Sequence, residues 1–496
     1  MASITSTVWA SLPRLPAKSE RVIQRNPIKL IRSLTWLQFA FFFSGWFAWV
    51  CDAIDFFAVT LSAARLAPYF HKTLSTVTLS ITLTLLFRPL GAFIFGMLSD
   101  RYGRKWPLVA NLIIISALSL ATGFCKTFSA FLACRSLFGI GMGGIWGLAV
   151  SMALENMPVD ARGLFSGFLQ LGYPVGYLII AAVNLNSRVA KETGWRPLFY
   201  TGAAFSLTGA IIRLLLPESQ YFLERQAARQ REGDQTATSK KSVQFIRETW
   251  KMLKTHWARC IFAIVLMTGF NFYSHGSQDL YPAYLTNDKG LTSHQATVAT
   301  IIGNCGAITG CTIGGYVSQY LGRRITMICF CLFCCAMLPL WLLPSSFSGL
   351  AAGAFLVQAG VQGAYGVVPV YLSEISPVAF RAMWPGVAYQ IGNMVSSASA
   401  QIEATAGAKL KDPKTGKPAY GRVSAILVGV AAGVVILCCL FGDESHSAHF
   451  ERGRAAFEKD GGLDVVDDGQ AAKTYPESTQ GDEEKAEDIQ RDHLRA

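Results

Sequence analysis

A short run of polar residues, Asn271-Phe-Tyr-Ser274-His275-Gly-Ser277-Gln278-Asp279, interrupts an otherwise apolar stretch. At about 100° per residue in a helix, Asn271, Ser274, His275, Gln278 and Asp279 fall within an arc of roughly 140°. His275 and Asp279 stand four residues apart, so they can hydrogen-bond and hold or release a proton near physiological pH. The spacing predicts that this pair handles a proton and that Asn271, Ser274, His275 and Gln278 bind substrate.

Arg88 is a second candidate, because it lies within the apolar run 81–95. A guanidinium there can bind a carboxylate through two parallel hydrogen bonds and supply the countercharge that an anion needs in a low dielectric. We therefore predict that Arg88 binds an anionic substrate. Two alternatives stay open. Arg88 can instead form an internal ion pair with Asp52 or Asp55, and the polar stripe can serve only to join helices through hydrogen bonds.

Composition places these residues in a membrane. Of the 496 residues, 51% are hydrophobic and 15% are charged, whereas about 25% of a soluble domain is charged. Several nearly uncharged stretches reach about 20 residues, long enough to cross a bilayer as a helix. This excludes a soluble enzyme or a nucleic-acid binder, and ionisable residues inside such spans are functional candidates by default.

The apolar stretches predict an all-α membrane protein with twelve transmembrane helices in two six-helix bundles. The predicted spans are 36–60, 75–98, 107–125, 128–154, 163–184 and 196–216, then 260–286, 294–318, 325–343, 348–372, 384–402 and 421–441. The predicted segments are a cytosolic N-terminal segment (1–35), an N-terminal bundle (36–216), a central cytosolic loop (217–258), a C-terminal bundle (259–441) and an acidic, disordered cytosolic tail (442–496).

Basic residues set the predicted orientation. The N-terminus, Arg101, Arg104, Lys105, the central loop and Arg323/Arg324 fall on one side, which the positive-inside rule makes cytosolic. The lysines between 409 and 417 lie on the opposite side and run against the rule. The twelve cysteines show no metal-ligand spacing, so no metal or cofactor is expected.

The two halves repeat a pattern at a fixed distance. Gly96-Met-Leu-Ser-Asp100-Arg101-Tyr-Gly103-Arg104-Lys105 recurs 219 residues later as Gly315-Tyr-Val-Ser-Gln319-Tyr-Leu-Gly322-Arg323-Arg324. Glu155 and Arg162 recur as Glu374 and Arg381 at the same distance. We expect Gly96 and Gly103 to let a helix end and a tight turn form close to a neighbouring helix, and Asp100 to accept hydrogen bonds at a helix terminus or pair with an arginine. Gln319, which replaces Asp100 in the second copy, lacks the charge.

These motifs resemble those of the major facilitator superfamily over residues 36–441. The resemblance rests on the repeated loop, on Arg135-Ser-Leu-Phe-Gly-Ile-Gly-Met-Gly and on Pro217-Glu218-Ser219. It implies two pseudo-symmetric bundles that rock around a substrate near the midplane. The implied structural and gating residues are Gly96, Asp100, Arg101, Gly103, Arg104, Arg135, Glu155, Arg162, Gly315, Arg323, Glu374 and Arg381.

The polar run itself resembles the signature of the fungal Jen family of carboxylate–proton symporters, Asn-X-X-Ser/Thr-His-X-Ser/Thr-Gln-Asp-X-X-X-Thr. Ala283 replaces the final threonine. The resemblance implies a carboxylate and a proton as substrates, with the proton gradient as driving force. It also implies that the fifth and eleventh spans choose between mono- and dicarboxylates, which makes Phe168, Gln170 and Gln390 candidates, with core packing as their alternative role.

The sequence thus predicts a plasma-membrane symporter for small carboxylates such as lactate, pyruvate, succinate or malate, with both termini cytosolic. The alternatives are a sugar-acid or other organic-anion permease of the same fold, and a non-transporting nutrient receptor that signals through its loop and tail. Lys240, Lys241 and the C-terminal lysines are candidate sites for ubiquitination or trafficking machinery, although exposed lysines are usually only solvated.

Overall fold

The fold is helical throughout the part of the chain that the computed structural model describes, which is residues 12–15, 26–185, 194–218, 222–223, 238–377, 380, 382–410 and 419–444. A short helix, Pro27–Ser33, precedes the first span, and every predicted span contains a helix. Arg381, one of the predicted motif residues, and the tail from residue 445 lie outside the described residues.

The first half contains six spans. The first is Trp36–Tyr69, the second Leu74–Tyr102, the third Lys105–Phe124, the fourth Phe128–Gly143 with Ile145–Glu155, the fifth Arg162–Gln170 with Gly172–Leu185, and the sixth Arg196–Leu215. Capping hydrogen bonds explain where the first span begins. The Thr35 hydroxyl accepts a hydrogen bond from the backbone N–H of Gln38, and the side-chain oxygen of Gln38 accepts one from the backbone N–H of Thr35. These two bonds form a capping box before the first span.

The second half repeats this order. The seventh span is Trp257–Gln278 with Tyr281–Asn287, the eighth Ser293–Leu321, the ninth Arg323–Leu342, the tenth Phe347–Tyr365 with Val368–Ile375, the eleventh Met383–Ser396 with Ser399–Lys409, and the twelfth Tyr420–Phe441. Among the described residues, ten helices are long and apolar enough to cross a membrane. The seventh and eleventh spans fall short because their polar residues lower their mean hydropathy.

The central segment is not entirely a loop, because Thr238–Thr255 is helical. Within this helix, Glu248 accepts hydrogen bonds from Gln244 at 2.7 Å and Lys251 at 3.0 Å. Lys240 and Lys241 have no described side chains, so their predicted role stays a prediction.

The two copies of the 219-residue repeat form equivalent ion pairs. Arg104 pairs with Glu155 at 2.7 Å, and Arg323 pairs with Glu374 at 2.9 Å. In each copy the arginine follows a glycine with positive φ, 100° at Gly103 and 86° at Gly322, a conformation that favours glycine. The two buried ion pairs therefore hold the same turn in both halves.

Gly96 does not end a helix as expected. It lies inside the second span, where an added Cβ would come within 2.8 Å of the Cα of Met383 in the eleventh span. Its counterpart Gly315 lies against the fifth span, 2.7 Å from the Cα of Gly167 by the same measure. Both glycines permit close packing between the two bundles, so packing rather than helix termination explains them.

Two glutamates cap the spans that follow these turns. Glu218 accepts hydrogen bonds from the backbone N–H groups of Arg104 and Lys105 at 2.9 and 3.0 Å. Glu444 accepts one from the N–H of Arg323 at 2.6 Å, and burial raises the pKa of its carboxyl. Glu444, which belongs to the predicted tail, is therefore held at the start of the ninth span.

Candidate functional site

A cavity with about 350 Å³ of empty space lies between the two bundles. Its wall is formed by Trp49, Phe56, Leu85, Arg88, Gln170 and Tyr173 from the first half and by Asn271, Ser274, His275, Gln362, Tyr365, Tyr389 and Asn393 from the second. Five predicted substrate-binding residues, Arg88, Gln170, Asn271, Ser274 and His275, thus share one wall.

The cavity is enclosed where the second and eleventh spans meet. At one end, the Asp100 carboxylate accepts a hydrogen bond from the backbone N–H of Met383 at 3.1 Å. At the other, Gln401 donates one to the hydroxyl of Thr78 at 2.8 Å. The bundles therefore touch on both sides of the site.

Arg88 is buried beside the cavity and is only partly paired. Its Nη2 lies 3.6 Å from Asp52 Oδ2 and 2.6 Å from the sulfur of Met142. In the described part of the chain, its Nε has no hydrogen-bond partner, and neither does Asp52 Oδ1. The alternative ion pair with Asp52 is therefore present, but a guanidinium N–H remains available to an anion.

Phe56 of the first span connects the two predicted charged sites. The Arg88 guanidinium lies 5.5 Å from the centre of its ring, and the His275 imidazole lies 5.9 Å from it. Arg88 and His275 therefore flank one aromatic ring although they belong to different bundles. An anion held at Arg88 would lie close to the group expected to carry the proton.

His275 belongs to a chain of hydrogen bonds that crosses between the bundles. Its Nδ1 lies 3.1 Å from Asp279 Oδ2, and its Nε2 lies 3.4 Å from Asn393 Oδ1. Asn393 donates to Gln390 Oε1 at 2.9 Å, and Gln390 donates to the carbonyl of Gly143 in the fourth span at 3.4 Å. The predicted His275–Asp279 contact thus has a route into the N-terminal bundle.

The tenth span binds the other edge of the polar stripe. Tyr365 donates to Asn271 Oδ1 at 2.7 Å, and Gln362 donates to the hydroxyl of Ser274 at 3.4 Å. Gln278 donates to Gln358 Oε1 at 2.9 Å. Part of the stripe therefore joins helices, as the alternative interpretation held, while Asn271, Ser274 and His275 also face the cavity.

Three predicted substrate-binding residues do not line the cavity. Gln278 is turned to the tenth span, and Gln390 is fully buried against the fourth span. Phe168 packs edge-on against Phe165 at 5.5 Å. A helix exposes only part of its circumference to a central cavity, and Gln170, not Phe168, occupies that part of the fifth span.

A separate charged cluster lies inside the N-terminal bundle. The Asp55 carboxylate accepts hydrogen bonds from the hydroxyls of Ser119 and Ser206. The Arg135 guanidinium lies 4.2 Å from the ring centre of Phe138, and its Nε and Nη1 have no hydrogen-bond partner among the residues that the structure describes. Neither charged group lines the cavity, so Arg135 fits the structural part expected for its motif.

The remaining motif residues lie at the end of the bundles that carries Arg104 and Arg323. Arg101 covers the ring of Tyr102 at 4.8 Å, and Arg162 donates to the carbonyl of Met157 at 3.1 Å. Gln319, the neutral counterpart of Asp100, donates to the carbonyl of Val159 at 3.4 Å. The two pseudo-equivalent contacts between the bundles therefore differ in charge.

Sequence reasoning missed several residues that complete the site. Gln358 and Gln362 stand four apart in an apolar span, and Asn393 follows Gln390 by three, so intramembrane polar spacing was the available signal. Glu444 was missed because Asp443-Glu444-Ser445 repeats Pro217-Glu218-Ser219 at a distance of 226 rather than 219.

Known proteins share this sequence and fold. The Major Facilitator Superfamily profile matches residues 34–401. The chain is 32% identical over 433 residues to a Saccharomyces cerevisiae carboxylic acid transporter protein homolog, covering 84% of this chain and 70% of that protein. It is 26% identical over 372 residues to the cis,cis-muconate transport protein of Acinetobacter baylyi, covering 74% and 87%.

Solved structures agree on the architecture. The proton:xylose symporter XylE from E. coli, in a structure with bound 6-bromo-6-deoxy-D-glucose, aligns with a TM-score of 0.63 at 18% identity, over 84% of this chain and 98% of that one. The twelve-helix, two-bundle fold expected from the repeat is confirmed, and the chain belongs to the major facilitator superfamily.

Proposed function

We propose that the chain is a proton-coupled symporter that imports small carboxylates, such as lactate, pyruvate, succinate or malate, by alternating access. One observation carries the proposal, which is that Arg88 and the His275–Asp279 pair flank Phe56 at one enclosed cavity. The carboxylic acid and muconate transporters among its relatives support an organic acid as substrate.

Arg88 binds the anion in this mechanism. The substrate carboxylate takes over the guanidinium from Asp52, because a bidentate, charge-assisted contact is stronger than an ion pair at 3.6 Å. Asp52 is then left without its partner, which favours a different arrangement of the first and second spans. Substrate binding and bundle movement are coupled in this way.

The hydrogen-bond chain explains how the proton is retained. Gln390 donates to Gly143, so its oxygen accepts from Asn393, and the Asn393 oxygen accepts from His275 Nε2–H. His275 Nδ1 and Asp279 Oδ2 face each other, and both are acceptors when neither carries a proton. A proton must therefore lie between them, because two acceptors would repel each other. The enclosed arrangement therefore fits the proton-loaded pair.

Loss of that proton would rearrange the hydrogen bonds that run from His275 through Asn393 and Gln390 to Gly143. A neutral imidazole with its proton on Nδ1 presents a bare Nε2 to Asn393, which must then rotate its amide and break its bond to Gln390. The contact with Gly143 of the N-terminal bundle would be altered as a result. Protonation at His275 and the packing of the two bundles are thereby linked.

Transport into proteoliposomes tests the function. Labelled pyruvate or succinate should accumulate under an imposed pH gradient, acidic on the side from which uptake is measured, and Arg88→Ala or Asp279→Asn should abolish accumulation. Arg422→Ala is a matched control, because Arg422 is exposed at the start of the twelfth span. Accumulation that persists unchanged in Arg88→Ala and Asp279→Asn protein would refute the proposal.

A broader organic-anion permease is the second candidate, because a sialic acid transporter, NanX of Escherichia coli, is 27% identical over 358 residues. Competition of labelled pyruvate uptake by unlabelled mono-, di- and sugar acids separates the two functions. A non-transporting receptor would show binding of these acids without accumulation.

The location remains part of the proposal. We place the protein in the plasma membrane with both termini in the cytosol, which follows from the distribution of basic residues. Protease protection of N- and C-terminal tags in intact cells tests the orientation.

A further inference from the structure

A carboxyl group that the proposed mechanism does not use lies within the C-terminal bundle. Glu403, in the second helix of the eleventh span, is fully buried, with 0% of its surface exposed. Its Oε2 accepts a hydrogen bond from the hydroxyl of Ser424 in the twelfth span at 3.2 Å. Its Oε1 is buried and makes no hydrogen bond in the part of the chain that the structure describes, and the Ser399 hydroxyl of the same helix also lies close to the carboxyl.

The free oxygen of Glu403 points to the seventh span. A Cβ added at Gly276, next to His275, would lie 3.3 Å from Glu403 Oε1. Asp279 stands three residues after Gly276 and therefore on the same face of that helix, close enough for the charges of Glu403 and Asp279 to interact. Asp279 therefore contacts His275 and also interacts electrostatically with Glu403.

The charges around Glu403 do not neutralise it. Asp279 is the charged group that faces it from the seventh span, while Lys409 of its own helix and Arg422 of the twelfth are exposed. Tyr420 packs against Gly407, and Asp288 accepts the N–H of Gly421. The second span presents the hydroxyl of Thr78 to Gln401. Within the described residues no cation is paired with Glu403.

Two adjacent carboxylates without a cation are costly in a low dielectric. The arrangement is stable when at least one of them carries a proton, so a proton on Glu403 and a charge on Asp279 are favoured together. When Asp279 takes up a proton for His275, Glu403 becomes free to lose its own. The two carboxyls can therefore exchange one proton without ever both being charged.

We propose that Glu403 is a second proton-binding site that delivers its proton to Asp279. The O–H bond at Glu403 breaks and an O–H bond forms at Asp279, after a side-chain rotation or through one water molecule, and the Glu403 carboxylate is then reprotonated from water at the Lys409 end of the eleventh span. The proposal rests on the proton coupling proposed above.

Glu403→Gln tests this step, because glutamine keeps the shape and the bond to Ser424 but cannot release a proton. In proteoliposomes, gradient-driven uptake of labelled pyruvate or succinate should slow on the order of 10-fold or more, and its pH profile should flatten. Exchange of labelled for unlabelled substrate at equal pH should persist, because exchange needs no net proton movement. Glu403→Asp should restore part of the gradient-driven rate.

Ser424→Ala is the matched control, since it removes the hydrogen bond but leaves the carboxyl. It should retain a pH-dependent uptake that Glu403→Gln lacks. If wild-type protein shows no gradient-driven uptake of any acid, the proposed symport fails. If wild type shows it and Glu403→Gln has the same rate and pH profile, the second proton site fails alone.

A structural role for Glu403 is also distinguishable. Loss of exchange together with gradient-driven uptake in Glu403→Gln, without rescue by Glu403→Asp, would overturn the proposal. If Glu403→Gln does not fold, Glu403→Asp tests the proposal instead. Aspartate is a shorter acid, so if this position passes the proton, the pH profile of uptake must shift relative to wild type. An unchanged profile in Glu403→Asp would contradict the proposal.

Discussion

The carboxylate of Asp100, near the end of the second span, accepts a hydrogen bond from the backbone N–H of Met383, the first residue of the eleventh span, at 3.1 Å. The same carboxylate pairs with Arg104 at 2.9 Å. An anion at a helix N-terminus is stabilised by the helix dipole and by free N–H groups. The two bundles are therefore joined by a charged contact at the end that carries Arg104.

Asp100→Ala should loosen this end of the bundles. Charge-assisted hydrogen bonds contribute about 1.5–3 kcal/mol, so backbone amides at 382–386 should exchange with deuterium on the order of 10-fold faster. Gln319→Ala, which removes the neutral counterpart, should leave exchange at 382–386 unchanged. Equal exchange rates in Asp100→Ala and wild type would show that the contact does not hold the bundles together.

Arg88→Lys should impair transport although it preserves the charge. Lysine cannot bind a carboxylate through two parallel hydrogen bonds, so the KM for pyruvate or succinate should rise on the order of 10-fold or more. Arg88→Ala should lose uptake entirely. Steady-state uptake in proteoliposomes measures both effects, and a wild-type KM in Arg88→Lys would mean that Arg88 does not hold the anion.

Asn393→Ala should alter proton coupling more than substrate binding. The substitution removes the acceptor for His275 Nε2–H, so the doubly protonated imidazole loses a stabilising bond. The pH at which uptake is half-maximal should move toward acid, while the KM at the new optimum should change little. A pH profile identical to that of wild type would exclude Asn393 from the coupling chain.

Glu218→Ala and Glu444→Ala should destabilise the protein by similar amounts, because each removes a cap from the start of a span. Loss of a cap costs typically about 1 kcal/mol. The two sites lie in different bundles, so the double variant should lose about the sum of the two. Thermal unfolding of the purified protein in detergent measures this, and stability unchanged in Glu444→Ala would contradict its capping role.

Much of the architecture follows from the sequence because the bilayer imposes a simple rule. Every backbone polar group must be satisfied within its own segment, so long apolar runs become helices. The repeat from Gly96 to Gly315 then indicates two similar halves, and the 100° periodicity places His275 and Asp279 on one face. Arg88 stands out because an arginine inside such a span is costly.

Helical periodicity fixes which face a residue occupies, but it does not reveal which helix packs against that face. His275 meets Asn393, which is 118 residues away, and Tyr365 meets Asn271 across 94 residues. The same limit explains why Phe168 and Gln390 were expected in the cavity wall, and why Gly96 was expected to end a helix.

The sequence by itself determined the twelve spans, the paired halves, the spacing of His275 and Asp279 on one face of the seventh span and the arginine in the second. Tertiary structure decided that Arg88 and His275 both lie against Phe56, that Asn393 and Gln390 join His275 to the other bundle, and that the Glu403 carboxyl faces Gly276 of the seventh span. The physical reason is that these contacts depend on side chains from separate helices meeting in a low dielectric, which no local pattern encodes.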